Sequence, residues 1–110
     1  MNRMQIKKCR ENEIRRLADR YDGDFDNAAL LYKRLVRFTL RWYRWATVQA
    51  SEKLTGYRLK QHVHEGELLG NMHDRLTCDL KPYGLHLDYP GLYPSLYDEH
   101  GNHGCDLFWY

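Results

Sequence analysis

Four arginines carry the strongest chemical signal in the sequence. Arg34, Arg37, Arg41 and Arg44 follow one another at intervals of three, four and three residues, a spacing that lines them along one stripe of an α-helix. A guanidinium stays charged and offers a fork of donors that matches carboxylates and phosphates. The stretch that holds them, Leu30–Ala50, contains no acid, glycine or proline, so no carboxylate stands at i±3 or i±4 within it to neutralise the stripe. Trp45 adds an aromatic face beside them, suited to stacking or to a cation–π contact. Partner binding is therefore expected at Arg37, Arg41 and Arg44, with Arg34 secondary and Trp45 as aromatic neighbour. The competing expectation is a solvated face paired within the fold to acids such as Asp19, Asp74 or Asp79.

A second concentration lies at the end of the chain, where Tyr83, Tyr89, Tyr93, Tyr97, Phe108, Trp109 and Tyr110 crowd together. A domain this small cannot bury so many rings with every hydroxyl satisfied. About half of them are assigned to core filling. Tyr93, Tyr97 and Trp109 join the arginines as candidate partner-binding residues, because Tyr, Trp and Arg dominate interface hot spots.

Metal and catalytic chemistry are less well supported. Cys78, His100, His103 and Cys105 supply sulphur and nitrogen donors of the kind tetrahedral zinc accepts, but their spacing matches no common zinc motif, and solvated turn histidines are the simpler reading. His62 and His64 beside Glu65 suggest an acid–base pair, yet alternate residues on a helix diverge. Asp22, Asp24 and Asp26 begin like a calcium loop, but Asn27 replaces the required glycine and Lys33 the bidentate glutamate. Helix capping by Asp24 or Asp26 is favoured instead. No GxSxG, GxGxxG, HExxH or phosphate-loop pattern occurs. Neither an enzymatic activity nor a cofactor is expected.

The whole chain bounds these readings. Its 110 residues suit one domain. The apolar share of 43% and aromatic share of 14% are those of a folded protein. A net charge of only +2 makes the overall field weak, so any attraction for anions rests on local clustering. Three cysteines, no leader-like apolar segment at the N-terminus and no membrane-length apolar run place the protein in the cytoplasm with reduced thiols.

The elements that must position these residues follow from periodicity. Met4–Ile6 reads as a short edge strand or a lead-in. A helix opened by Glu11 or Asn12 runs to about Tyr21, burying Ile14, Leu17, Ala18 and Tyr21. Asp22 and Gly23 end it. The arginine helix spans about 27–54, with Ala28, Leu31, Tyr32, Leu35, Thr39, Trp42, Tyr43 and Ala46 on one side and Val36, Phe38, Leu40 and Trp45 on its flanks. A break is expected at Thr55 and Gly56. A third helix extends over about 57–80, weakened by Gly66 and Gly70 and stopped by Pro82. Residues 83–89 alternate as a strand. Pro94 makes the following segment an edge or irregular strand. A turn over 98–104 precedes a closing strand over 105–110. Together this is an α+β domain over 1–110: two to three helices (helical part about 10–80) on a small C-terminal antiparallel sheet (about 83–110).

Two functional classes fit. One is a protein-binding module without chemistry of its own that docks on a larger protein or ribonucleoprotein. The other is a direct DNA- or RNA-binding accessory protein that uses the arginine stripe on phosphates. Near-neutral charge favours the first. In its size, its lack of motifs and its richness in Arg, Trp and Tyr, the chain resembles the small accessory proteins of phages and mobile elements, anti-CRISPR proteins in particular. That resemblance implies a non-enzymatic inhibitor whose partner is a nucleic-acid-handling effector such as a CRISPR complex. Many anti-CRISPR proteins are acidic, and the basic stripe departs from that pattern.

Overall fold

The computed structural model describes residues 2–20, 23–55, 60–90 and 94–107. Three helices, α1 (Arg3–Arg20), α2 (Phe25–Thr55) and α3 (Lys60–Leu80), precede three short strands, β1 (Leu85–Asp88), β2 (Ser95–Asp98) and β3 (His103–Cys105). The fold is α+β, as the hydrophobic patterning implied.

Each helix boundary has a local cause. Asn2 and Gln5 form a reciprocal capping box: the Gln5 N–H donates to Asn2 Oδ1 and the Asn2 N–H to Gln5 Oε1, both at 2.9 Å. α1 therefore starts well before Glu11, and Met4–Ile6 is its first turn rather than a strand. Gly23, with a φ of 84°, takes the left-handed conformation at the other end, and its N–H reaches back to the Ala18 carbonyl. Asp24 caps α2, accepting from the Asn27 N–H at 3.1 Å and from its side-chain amide at 2.8 Å. These carboxylate oxygens are thus engaged in starting a helix. α3 ends at Leu80 in a single 3₁₀ turn, Lys81–Tyr83, with Pro82 in its first positions.

α2 is the centre of the molecule. Ala28, Leu35 and Phe38 are fully buried, as are Leu69 and Leu80 of α3 and Leu96 of β2. Leu17 and Ala18 cover the core from α1. Phe38, expected on a flank, lies at the heart of the core, whereas Tyr43, expected inside, is exposed. α2 packs against both α1 and α3, so its buried arc is wider than one stripe.

The sheet has the order β1-β2-β3 and is antiparallel throughout. Leu85, Leu87, Leu96 and Cys105 turn inward to the helices, while His86 and Asp88 turn outward, the period-two alternation of a sheet with one wet face. β2 is the central strand. Pro94 does not make it an edge, because the proline stands one residue before the strand and removes no ladder donor. The closing strand is also earlier than expected: β3 spans His103–Cys105, and Phe108, Trp109 and Tyr110 lie outside the described residues.

Two charged residues of α1 fasten the sheet to the helices. The buried Glu13 accepts the Asp106 N–H at 3.0 Å and pairs with Arg16 at 3.1 Å. Arg20 donates to the Tyr83 carbonyl at 3.0 Å and stands 3.6 Å from Asp98 and 3.7 Å from Glu99. Asp98 in turn organises the β2–β3 turn, its Oδ1 accepting the N–H groups of His100 at 2.9 Å and Asn102 at 2.8 Å.

Two predictions follow from this packing. The Thr39 side chain is fully buried and its Oγ1 has no hydrogen-bond partner among the described residues. Leaving a buried hydroxyl unpaired is unfavourable, so Thr39→Val is expected to stabilise by about 1 kcal/mol, read as a rise in the chemical-denaturation midpoint. The Asn102 N–H, helped by that of His100 and by the Arg20 charge, holds the Asp98 carboxyl below its ordinary value of 3.8. A carboxyl with a lowered folded-state pKa contributes stability above its unfolded pKa and loses it as pH falls through the folded value. The gap in melting temperature between wild type and Asp98→Ala should therefore be largest near neutrality and narrow below about pH 4.

Candidate functional site

The arginine stripe lies along the joint between α2 and α3, and α3 supplies the carboxylates that α2 lacks. Arg41 binds Glu65 in a bidentate fork, Nε to Oε1 at 2.8 Å and Nη2 to Oε2 at 2.9 Å. Its Nη1 faces the Met72 sulphur at 3.6 Å. One helical stretch away, Arg34 pairs with Asp79 at 2.7 Å. Both pairs are partly solvated, so each contributes modestly to stability. Their larger consequence is geometric, because each fixes a long side chain in one direction across the joint.

Arg37 and Arg44 differ. Both are exposed, and among the described residues neither has a carboxylate within ion-pairing distance. Arg75 of α3 shares this condition. Arg34, Arg37 and Arg75 surround a cavity of about 190 Å³ whose apolar lining is Met72 and Leu76. Next to it a groove of about 620 Å³ is lined by Leu30, Leu31, Lys33, Arg34, Arg37, Asp79 and Tyr83, with Asn27 at one end. Leu30 is 60% exposed there.

The aromatic residues of the joint form a separate, inward cluster. Trp42 lies 5.5 Å from Trp45 and 4.7 Å from Tyr89, measured between ring centroids. Trp45 stacks on His62 at 5.0 Å with planes only 4° apart. Its indole N–H donates to the His62 carbonyl at 3.0 Å. The Tyr89 hydroxyl is 2.5 Å from His73 Nδ1. Burial pushes the Tyr89 phenol up to about 12, so the hydroxyl keeps its proton, and the tautomer of His73 sets which of the two groups donates. Trp45 is thus a neighbour of the arginines whose donor and one face are engaged inside the fold.

The remaining candidates are dispersed. Tyr97 sits on β2 opposite His86, with ring centroids 6.2 Å apart, and meets His103 edge-on at 5.7 Å. Its neighbour in sequence, Leu96, points into the core, so Tyr97 lies on the outer face of the sheet, away from the helices. Tyr93 and Trp109 lie outside the described residues. The four potential zinc ligands are not brought together: Cys78 is exposed on α3, His100 is in the β2–β3 turn, and Cys105 is buried. Among the described residues no group of three His, Cys, Asp or Glu side chains is placed to hold a metal ion. Burial, reinforced by the nearby Glu13 carboxylate, pushes the Cys105 thiol far up. It is held as a neutral thiol, unsuited to ligating a metal or attacking a substrate.

Three features of the joint escaped the sequence reading. Arg75 follows Asp74 in a helix rich in acids, and only the pairing of helices shows that it lines one cavity with Arg37. Glu65 looked like half of an acid–base pair and is instead the anchor of Arg41. Gly66 looked like a weak point in a helix, yet a side chain there would meet the Trp45 ring at 3.1 Å, so the glycine admits the indole.

Compared with models of known protein families, with curated proteins and with solved structures, the chain matches none. Among the described residues no helix is long and apolar enough to cross a membrane.

The Gly66 contact yields a prediction. Gly66→Leu should push the indole off the His62 carbonyl and destabilise the fold by about 1–3 kcal/mol, as overpacking does. The Trp45 indole N–H signal, followed by hydrogen exchange, should lose its protection, while an exposed control such as Gly70→Leu, where nothing lies near the added carbon, should keep it.

Proposed function

We propose that the chain is a small cytoplasmic binding protein, with no chemistry of its own, that docks on a larger nucleic-acid-handling protein or ribonucleoprotein in the manner of anti-CRISPR proteins. The α2–α3 face is its docking surface. One observation carries this reading: Arg34 and Arg41 are fixed by carboxylates of α3, whereas Arg37, Arg44 and Arg75 on the same face have none among the described residues. A row of oriented side chains with unspent guanidiniums is prepared for recognition rather than for stability. Size and composition supply the class of partner, through the resemblance to anti-CRISPR proteins. The three cysteines stand as free thiols, consistent with a reducing compartment.

Direct binding to DNA or RNA is the second reading. The three guanidiniums around one cavity favour it, since Arg suits phosphate as well as carboxylate. Internal pairing of Arg34 and Arg41 disfavours it, because it halves the charge available to a phosphate backbone.

Affinity capture from cell lysate, with and without nuclease, separates the two. The expected result is a stoichiometric protein partner that survives nuclease and is lost when Arg37→Ala and Arg44→Ala are combined. Loss of capture on nuclease treatment, with binding to bare nucleic acid that falls steeply with salt, supports the second reading instead. Capture unchanged by the double substitution moves the interface off α2.

A further inference from the structure

We infer that the groove between α2 and α3 binds an acidic peptide segment of the partner protein, in which a carboxylate is followed by an apolar side chain. The inference rests on the docking function proposed above and names the chemistry of the segment that would be recognised.

The charges of the groove come first. Lys33, Arg34 and Arg37 on one wall and Arg75 on the other face a single carboxylate, Asp79. That carboxylate is half-exposed and held by Arg34 at 2.7 Å. Asp79 therefore leaves the cluster with an excess of positive charge while keeping one guanidinium aligned. Arg37 and Arg75 line the same cavity as the apolar Met72 and Leu76, so an anion there meets two cations beside apolar surface. A carboxylate entering the cavity of about 190 Å³ would stand between Arg37 and Arg75, neither of which has a carboxylate partner among the described residues.

The apolar part comes from the adjoining groove. Leu30 is 60% exposed at its edge and Leu31 and Tyr83 line its wall. An exposed leucine beside a basic cavity favours a ligand that alternates charge with apolar surface, which a peptide does and a phosphate backbone does not. Two further observations separate the classes. Asp79 stands in the groove and repels a continuous run of phosphates. The indoles of Trp42 and Trp45, which would stack bases, are packed against each other, Tyr89 and His62.

The test uses the intact protein and a fluorescent hexapeptide of alternating glutamate and leucine. Its controls are a glutamate–asparagine hexapeptide and a single-stranded oligonucleotide of equal charge, all titrated at the same ionic strength. The glutamate–leucine peptide should bind most tightly. Charge reversal by Arg37→Glu with Arg75→Glu should weaken it at least about tenfold, in line with truncated interfacial charge pairs. The milder Arg37→Gln with Arg75→Gln should weaken it less, and circular dichroism checks that both variants fold. Asp79→Asn, which removes the resident carboxylate, should tighten binding several-fold, and Arg15→Glu on α1 should leave it unchanged. Tighter binding of the oligonucleotide, lost on the same charge reversal, overturns the peptide assignment in favour of nucleic acid. An Asp79→Asn variant that binds no better, or a peptide that fails to bind, overturns the peptide assignment without favouring nucleic acid. Nuclease-resistant capture that persists in the charge-reversed variant overturns the groove while leaving the docking function standing.

Discussion

The structure depends on the burial of α2 on two sides. Leu35 and Phe38 reach zero exposure because α1 closes over one side of the helix and α3 over the other. Burying such side chains contributes roughly 1.5–3 kcal/mol each relative to exposure, far more than any one surface ion pair. The α2 arginines are consequently kept out of the core, at the solvated margin where α2 meets α3. The arginines are where they are because the apolar residues occupy the rest of the circumference.

That confinement shapes the site. α2 and α3 must lie close enough for Phe38, Leu69 and Leu76 to share one core, so the α2 arginines come within reach of the α3 carboxylates. Glu65 and Asp79 then take one guanidinium each. What remains is a short row of cations of two kinds, some oriented by acids and others open to a ligand. Basicity read residue by residue overstates the field of this face, and its useful chemistry lies in the contrast between paired and unpaired arginines. Glycine and tryptophan set the spacing at the far end of the joint, where Gly66 admits the Trp45 ring and the indole N–H secures the His62 carbonyl.

The sheet plays a different part. It closes the open end of the helical layer with Leu85, Leu87, Leu96 and Cys105, and α1 fastens it through Glu13 and Arg20. Its outer face, with His86, Tyr97 and His103, is remote from the arginine joint. The aromatic residues of the last quarter therefore divide: Tyr89 joins the interhelical cluster and Tyr97 lies on the outer sheet face.

The sequence by itself determined most of the elements, because local rules govern them, though not the first turn of α1 or the bounds of β3. Asp24 announces the start of α2, Gly23 and Pro82 stop the helices, and the alternation of Leu85 and Leu87 marks a strand. It also determined that four arginines share a stripe, which needs only the helical period. The early start of α1 has a local signal in the Asn2 and Gln5 pair, but a polar opening turn conceals its helicity from hydrophobic periodicity. Which arginines are free was decided by the tertiary structure alone. Asp79 and Glu65 lie dozens of residues from their partners in the chain, and ion pairing falls off within a few ångströms. The same holds for Arg75 beside Arg37, for Gly66 beneath Trp45, and for β2 as the central strand. Each is a relation between elements, set by how the apolar faces close on one another.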